Sequence, residues 1–303
     1  MHPPGDDVEK AGLMRSLLFV PGDSERKLEK GFSAGADVVI VDLEDSVAAG
    51  NKDVARRIAA DFIRDNHTRT SAAIYVRIND LSSGLTDDDL AALVPAKPDG
   101  IMLPKSNGFA DVQQLSAKLR VREAENGLPD GATKIIPIIT ETAAGLLAAG
   151  SYSPSPRLSG LTWGAEDLSA AIGARATRDQ NGRYTDVFRL ARAMTVLAAS
   201  AAETAAIDTV FVNFRDANSL RAECLEAERD GFTAKMAIHP DQVPVINEAF
   251  TPSPEAVAHA QAVVQAFRAA GDPGVVGIDG QMYDRPHLRR AERLLARARA
   301  AGL

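Results

Sequence analysis

Eight short runs rich in Val and Ile recur along the chain, each followed by a longer amphipathic or Ala-rich stretch. This alternation limits the fold more than any other feature. The runs are Ser16–Pro21, Val38–Leu43, Ile74–Ile78, Gly100–Pro104, Ile135–Thr140, Gly160–Trp163, Thr209–Val212 and Ala234–Ile238. They are continuously apolar rather than alternating, which suits strands covered on both faces, as in a parallel sheet. Helices are expected over Ser24–Ala34, Asp53–Asp65, Asp87–Leu93, Ala110–Asn126, Thr142–Ala149, Tyr184–Ala205, Ser219–Arg229 and Asp241–Ala249. Eight such repeats predict an α/β protein, a closed (β/α)8 TIM barrel rather than an open doubly wound sheet. No G-x-G-x-x-G follows the first run and no G-x-x-x-x-G-K-[ST] occurs, so two common phosphate cradles are absent.

The chain has 303 residues, a length that such barrels reach as one unit. We expect a catalytic barrel over residues 1–250 and a C-terminal extension over 251–303. The extension reads as Pro252 and Pro254, a helix Glu255–Ala270, a Gly-rich stretch Gly271–Gly280 and a basic helix His287–Ala300. An appendage beyond a complete barrel covers the active-site mouth or a neighbouring subunit, and its Gly-rich part is expected to be a mobile lid.

Net charge is 34 − 41 = −7, which disfavours nucleic acid as a partner. The single cysteine, Cys224, excludes an intrachain disulfide and reads as a half-buried helix thiol. No apolar run reaches the ~18 residues of a membrane span. Met1–Lys10 lacks the basic-then-apolar order of a signal peptide, so the cytoplasm is the expected compartment.

In a parallel barrel the active site collects at the C-terminal ends of the strands. Nearly every expected strand here ends in polar or charged groups: Asp42-Leu43-Glu44-Asp45, Arg77-Ile78-Asn79-Asp80, Lys105-Ser106, Thr140-Glu141-Thr142, Glu166-Asp167, Asn213-Phe214-Arg215-Asp216 and His239. Strand ends are polar partly because loops are polar. The whole set, however, brings Glu, Asp, Arg and Lys to one rim, where like charges repel unless a cation sits among them. Glu141 and Glu166/Asp167 come from adjacent strands and are the candidate metal ligands. Two carboxylates completed by water and substrate oxygens describe Mg²⁺, with Mn²⁺ as a substitute, and no His pair or Cys cluster suggests zinc. Arg77 suits a planar grip on a carboxylate or enolate oxygen, with Glu44 or Asp45 orienting it. His239 reads mainly as a capping or packing histidine.

At this point the sequence resembles the citrate lyase β-subunit-like family of the HpcH/HpaI aldolase superfamily. The resemblance is carried by Met14-Arg15-Ser16-Leu17-Leu18-Phe19-Val20-Pro21-Gly22, Val41-Asp42-Leu43-Glu44-Asp45-Ser46-Val47 with Lys52 and Ala55-Arg56, Val76-Arg77-Ile78-Asn79, and Gly100-Ile101-Met102-Leu103-Pro104-Lys105. It continues through Glu141-Thr142-Ala143, Trp163-Gly164-Ala165-Glu166-Asp167-Leu168, Ile238-His239-Pro240-Asp241-Gln242 and Asp279-Gly280-Gln281-Met282-Tyr283-Asp284-Arg285-Pro286-His287. It implies a Mg²⁺-dependent barrel, a trimer or hexamer, acting on thioesters such as malyl-CoA or citramalyl-CoA, with coenzyme A as part of the substrate. It further implies Glu141 and Asp167 as metal ligands, Arg77 on the substrate oxygens, and the backbone of Ala165, Glu166 and Asp167 as the seat of a 2-oxo acid carboxylate. Arg15 and Lys105 match positions near the thioester cofactor. Asp284 matches an aspartate placed over a neighbouring subunit's site, and we read it as the proton-transfer group. Three departures stand out: an extra residue in Pro137-Ile138-Ile139-Thr140-Glu141-Thr142, Asn213 where Asp is frequent, and Gln281 where Lys is usual.

The implied reaction breaks a 3-hydroxyacyl-CoA into an acyl-CoA and a 2-oxo acid, glyoxylate or pyruvate, through an enolate. Rival readings are a citrate lyase β-subunit working on citryl-acyl carrier protein, a class II 2-keto-3-deoxy-acid aldolase, a malyl-CoA thioesterase, and a non-catalytic binding subunit. The aldolase reading wants a His near the second strand, but the nearest, His67, lies beyond it. The long tail weighs against the citrate lyase subunit.

Overall fold

The computed structural model describes residues 13–66 and 72–303; Met1–Lys10 and His67 lie outside them. By its internal contacts the chain divides into two compact units, one spanning Met14–Asn247 and the other holding Glu248–Leu303.

In the first unit eight parallel strands form one sheet: β1 (Ser16–Pro21), β2 (Val38–Asp42), β3 (Ala73–Arg77), β4 (Gly100–Leu103), β5 (Lys134–Pro137), β6 (Gly160–Thr162), β7 (Ala205–Asp208) and β8 (Ala234–Ala237). Their spatial order is β5-β4-β3-β2-β1-β8-β7-β6. Parallel bridges at Ile135–Leu158 and Ile138–Thr162 bring the two outer strands together and close the barrel. The bond from Ile139 N to Thr162 O, 2.9 Å, belongs to the same seam.

Each strand is buried on both sides, as its continuous apolar run requires. In β2, Val38 to Val41 are fully buried. Period-two alternation sends Leu17, Val38, Ile40, Tyr75, Met102, Ile136, Ile138, Ile207, Ala234 and Met236 into one interior cluster, with Phe19 packed against it. The opposite parity faces the helices. These are α1 (Glu25–Phe32), α2 (Lys52–Asn66), α3 (Thr86–Leu93), α4 (Phe109–Glu125), α5 (Ala143–Leu147), α6 (Ala165–Ile172), α7 (Asp186–Ala201), α8 (Ala217–Asp230) and α9 (Val243–Phe250). In α2 the buried stripe Ala55, Ala59, Phe62 and Ile63 has helical spacing. Each large side chain buried this way contributes about 1.5–3 kcal/mol.

Strand seven lies four residues earlier than the β-branched run Thr209–Val212 implies. Ala205–Asp208 forms the ladder because Ile207 fills the barrel interior while Asp208, facing outward, meets Lys235 of β8. Asn213 therefore does not end a strand but lies in the segment between β7 and α8. The expected helix Tyr184–Ala205 is α7, shorter at both ends, and α6 is an additional helix directly after β6.

The second unit holds α10 (Pro254–Ala269), β9 (Val275–Ile278), β10 (Gln281–Asp284) and α11 (Arg285–Ala300). Part of the Gly-rich stretch expected to be a lid is thus strand. Asp279 and Gly280, at φ 49° and 77°, make the two-residue turn of an antiparallel hairpin. Val263, Phe267, Val276, Leu288 and Ala291 form this unit's own core. No helix among the described residues is long and apolar enough to cross a membrane.

Candidate active site

The register of β2 and β3 builds the centre of the site. Asp42 and Arg77 are Cα partners on neighbouring strands, and both continue the inward parity of the residues below them. Their side chains therefore meet at the barrel mouth. Arg77 donates through Nε and Nη2 to the two oxygens of Asp42 at 2.8 and 2.7 Å. Glu44 Oε2 lies 3.1 Å from Arg77 Nη1, and Asp45 lies at 3.7 Å. The Phe19 ring lies 4.9 Å below the guanidinium. Burial disfavours both charges, yet Arg77 and its hydrogen bonds hold the Asp42 carboxyl below its ordinary value, and Asp42 holds the Arg77 guanidinium above its own. Asp42, rather than Glu44 or Asp45, is thus the main orienting partner of Arg77. Asp42 also accepts from Glu44 N at 2.9 Å and Ser46 N at 3.2 Å, which ties down the loop after β2.

That loop is gripped from behind. Lys52 Nζ donates to Leu43 O, Glu44 O and Asn79 Oδ1 at 2.6, 2.8 and 2.8 Å, using all three donors of the ammonium. Asn79 in turn donates to the fully buried Asp89, which also accepts from Arg56 at 2.7 Å.

Glu141 follows β5 and is 3% exposed. Its Oε2 accepts from the main-chain N–H of Lys105, the residue after β4 and Pro104. Gly164 makes room for it: a Cβ there would stand 2.8 Å from Glu141 Cγ. Burial pushes the Glu141 carboxyl up to about 8; the Lys105 N–H opposes this, while Asp167 and Glu44 add to it. Burial also raises the Glu44 carboxyl, against the pull of Arg77 and Lys105. Lys105 Nζ donates to Glu44 Oε1 and lies 3.9 Å from both Asp45 and Asp167.

Asp167 is half-buried in the first turn of α6, preceded by the exposed Glu166 and buried Ala165. The N-cap is Gly164, with no side chain to cap the turn, so the first main-chain N–H groups point out of the helix end.

Arg77, Glu44, Lys105, Glu141 and Asp167 are therefore assembled at one mouth, with Ala165 and Glu166 beside Asp167. One expected residue of this unit is not brought there. Arg15 precedes β1, at the opposite end of the barrel, where its guanidinium binds Asp37 at 2.8 Å; its place at the start of the strand removes it from the mouth. Asp284 belongs to the second unit, where it is the N-cap of α11 and lies 2.5 Å from His287 Nδ1. His239 caps the turn Pro240–Gln242, accepting from Asp241 N at 3.2 Å, and stacks on Phe214 at 4.5 Å. Cys224 is buried and its thiol is pushed up to about 12. A cavity of about 1360 Å³ between α7 and α8 is lined by none of the mouth residues.

Sequence reading placed Asp42 and Asn79 on the rim without a role and missed Phe19 and Lys52 as parts of the site. Strand parity could have found Phe19 and the part played by Asp42, since Asp42 continues Val38 and Ile40, and Phe19 continues Leu17.

Residues 15–240 match the HpcH/HpaI aldolase/citrate lyase family. The chain belongs to that family. It is 35% identical over 301 residues to the mitochondrial citramalyl-CoA lyase of Rattus norvegicus, covering 94% of this chain and 86% of that protein. It is 34% identical over 297 residues to a (3S)-malyl-CoA thioesterase of Cereibacter sphaeroides, covering 97% of each. Among solved structures, protein CitE from Mycobacterium tuberculosis in complex with magnesium, acetoacetate and coenzyme A superposes with a TM-score of 0.76. The identity is 34%, over 95% of this chain and 99% of that one. Membership of the HpcH/HpaI family makes the charged rim at the strand ends the place to look for lyase chemistry.

Proposed function

We propose that the chain is a divalent-metal-dependent carbon–carbon lyase that cleaves a 3-hydroxyacyl-CoA, such as malyl-CoA or citramalyl-CoA, into an acyl-CoA and a 2-oxo acid. The carrying observation is the charge balance at the mouth. Asp42, Glu44, Asp45, Glu141 and Asp167 gather there against, among the described residues, Arg77 and Lys105. Glu141 is buried among like charges, and Glu44 Oε2, though close to Arg77, makes no hydrogen bond. This donor set fits a hard dication. Among the described residues no group of three or more His, Cys, Asp or Glu forms a metal cage. Glu141 and Asp167 would hold the ion with water and substrate oxygens completing its shell, in keeping with the magnesium held by the M. tuberculosis relative.

The ion would supply Lewis-acid polarisation of the substrate's hydroxyl and carboxylate oxygens. The chain's own residues do the rest. The open first turn of α6 seats the 2-oxo acid carboxylate by its N–H groups. As the C2–C3 bond breaks, its electron pair passes to C2 and the hydroxyl proton passes to the Asp284 carboxylate, so the alcohol becomes a carbonyl and the thioester an enolate. Arg77, held flat by Asp42, stabilises the enolate oxygen. Asp284, supplied by the C-terminal unit of a neighbouring copy in a trimer or hexamer, returns a proton to C2.

The test is a panel of 3-hydroxyacyl-CoAs incubated with and without Mg²⁺, scoring 2-oxo acid and free thiol separately. Release of 2-oxo acid that requires Mg²⁺ is the expected result, with Asp284→Asn lowering kcat while the acyl-CoA still binds. Free thiol without 2-oxo acid would favour the second reading, thioester hydrolysis, which the C. sphaeroides relative brings forward. Unchanged kcat in Asp284→Asn would remove that residue from the proton transfer.

A further inference from the structure

Lys105 touches both halves of the proposed metal pair. Its main-chain N–H holds Glu141, while its ammonium binds Glu44 and lies 3.9 Å from Asp167. Its backbone is left-handed, with φ 52°, a region that non-glycine residues enter at a cost and that clusters at working sites. With that turn one residue directs its N–H at one carboxylate and its side chain at three others.

We propose that the Lys105 ammonium and the divalent cation share one carboxylate, Asp167, so that Lys105 limits how tightly the site holds metal. The inference rests on the metal reading above and extends it to the tuning of that site. An ammonium among Glu44, Asp45 and Asp167 lowers their mutual repulsion whatever else is bound. It also repels a dication placed between Glu141 and Asp167. At a few ångströms, in a solvent-accessible mouth, that repulsion corresponds to about tenfold in metal affinity. A dication on Asp167 in turn loosens the ammonium's hold on the cluster and frees it to meet an anionic substrate. Metal binding therefore precedes productive binding of the acid.

The experiment is calorimetric titration of the full-length protein with MgCl₂ alone, for wild type, Lys105→Met, Lys105→Gln and Lys105→Arg. All three replacements must adopt the same positive φ, so backbone strain stays comparable. Lys105→Met and Lys105→Gln are expected to bind Mg²⁺ about tenfold more tightly than wild type, and Lys105→Arg to stay near it. In chelator the neutral variants are expected to melt below wild type, and saturating Mg²⁺ to close the gap. Equal or weaker Mg²⁺ affinity in whichever neutral variant folds overturns the proposal while leaving the metal site standing. Absence of Mg²⁺ binding in wild type overturns the metal reading itself.

Discussion

At the scale of single residues the site depends on one geometric fact: Asp42 and Arg77 share a register position and a face. The guanidinium is clamped through two parallel bonds, which a point charge cannot reproduce. Arg77→Lys is therefore expected to lose on the order of 10²–10³ in kcat with the fold intact, measured by steady-state kinetics beside a melting curve. Wild-type kinetics in that variant would exclude the role given to Arg77. The places of Arg77, Glu141 and Asp167 on the rim were legible because each directly follows a Val/Ile-rich run or the turn after one. Asp42 was harder to read, since a residue closing an apolar strand looks like the first residue of a loop until parity is counted. Lys52 was beyond reach: that its ammonium would grip the carbonyls of Leu43 and Glu44 follows from how α2 packs, not from local pattern. Arg15 misled because adjacency to a motif in sequence says nothing about which end of a strand a residue occupies.

At the scale of elements, helices and strands are joined by buried ion pairs as well as by apolar packing. Glu123, near the end of α4, accepts from Arg157 at 2.8 and 2.6 Å, from Thr133 N at 2.8 Å and from Gly131 N at 3.1 Å. This fastens the segment entering β5 to the segment entering β6. Burial opposes the Glu123 charge, but the Arg157 fork and the two N–H groups outweigh it and bring the carboxyl down to about 2. Its folded value is depressed, so its contribution is fully present above the ordinary carboxylate range and disappears as pH falls toward 2. Glu123→Gln is expected to cost roughly 3 kcal/mol at pH 7, read from denaturant unfolding, and the difference from wild type to shrink to nothing near pH 2. An undiminished difference at low pH would show that shape, not charge, is responsible. Element positions were legible where composition changed sharply. They failed at β7, where Ala205-Ala206 continues the Ala-rich character of α7, so that helix and strand blur. The β9–β10 hairpin carried a readable signal, Asp279-Gly280 between Val275–Ile278 and Gln281–Asp284, that the surrounding glycines masked.

For the whole molecule, the count of eight runs and their two-sided burial were enough to require a barrel, because a parallel sheet that closes has no edge to protect. Closure places the C-terminal strand ends in one ring, and Glu141 and Asp167 reach the same carboxylate cluster although β5 and β6 stand at the two ends of the ladder order. The barrel thus converts separate strand-end charges into a single strongly anionic mouth. What a sequence cannot convey is the sharing of that charge: Lys105 contributes its main chain to one carboxylate and its side chain to others. The central claim is that a dication belongs between Glu141 and Asp167. Anomalous diffraction from crystals of the full-length protein soaked in Mn²⁺ tests it most directly. The account predicts a strong peak at coordination distance from both carboxylates, lost in Asp167→Asn. A peak elsewhere, or none at that position with the two side chains turned apart, would contradict it.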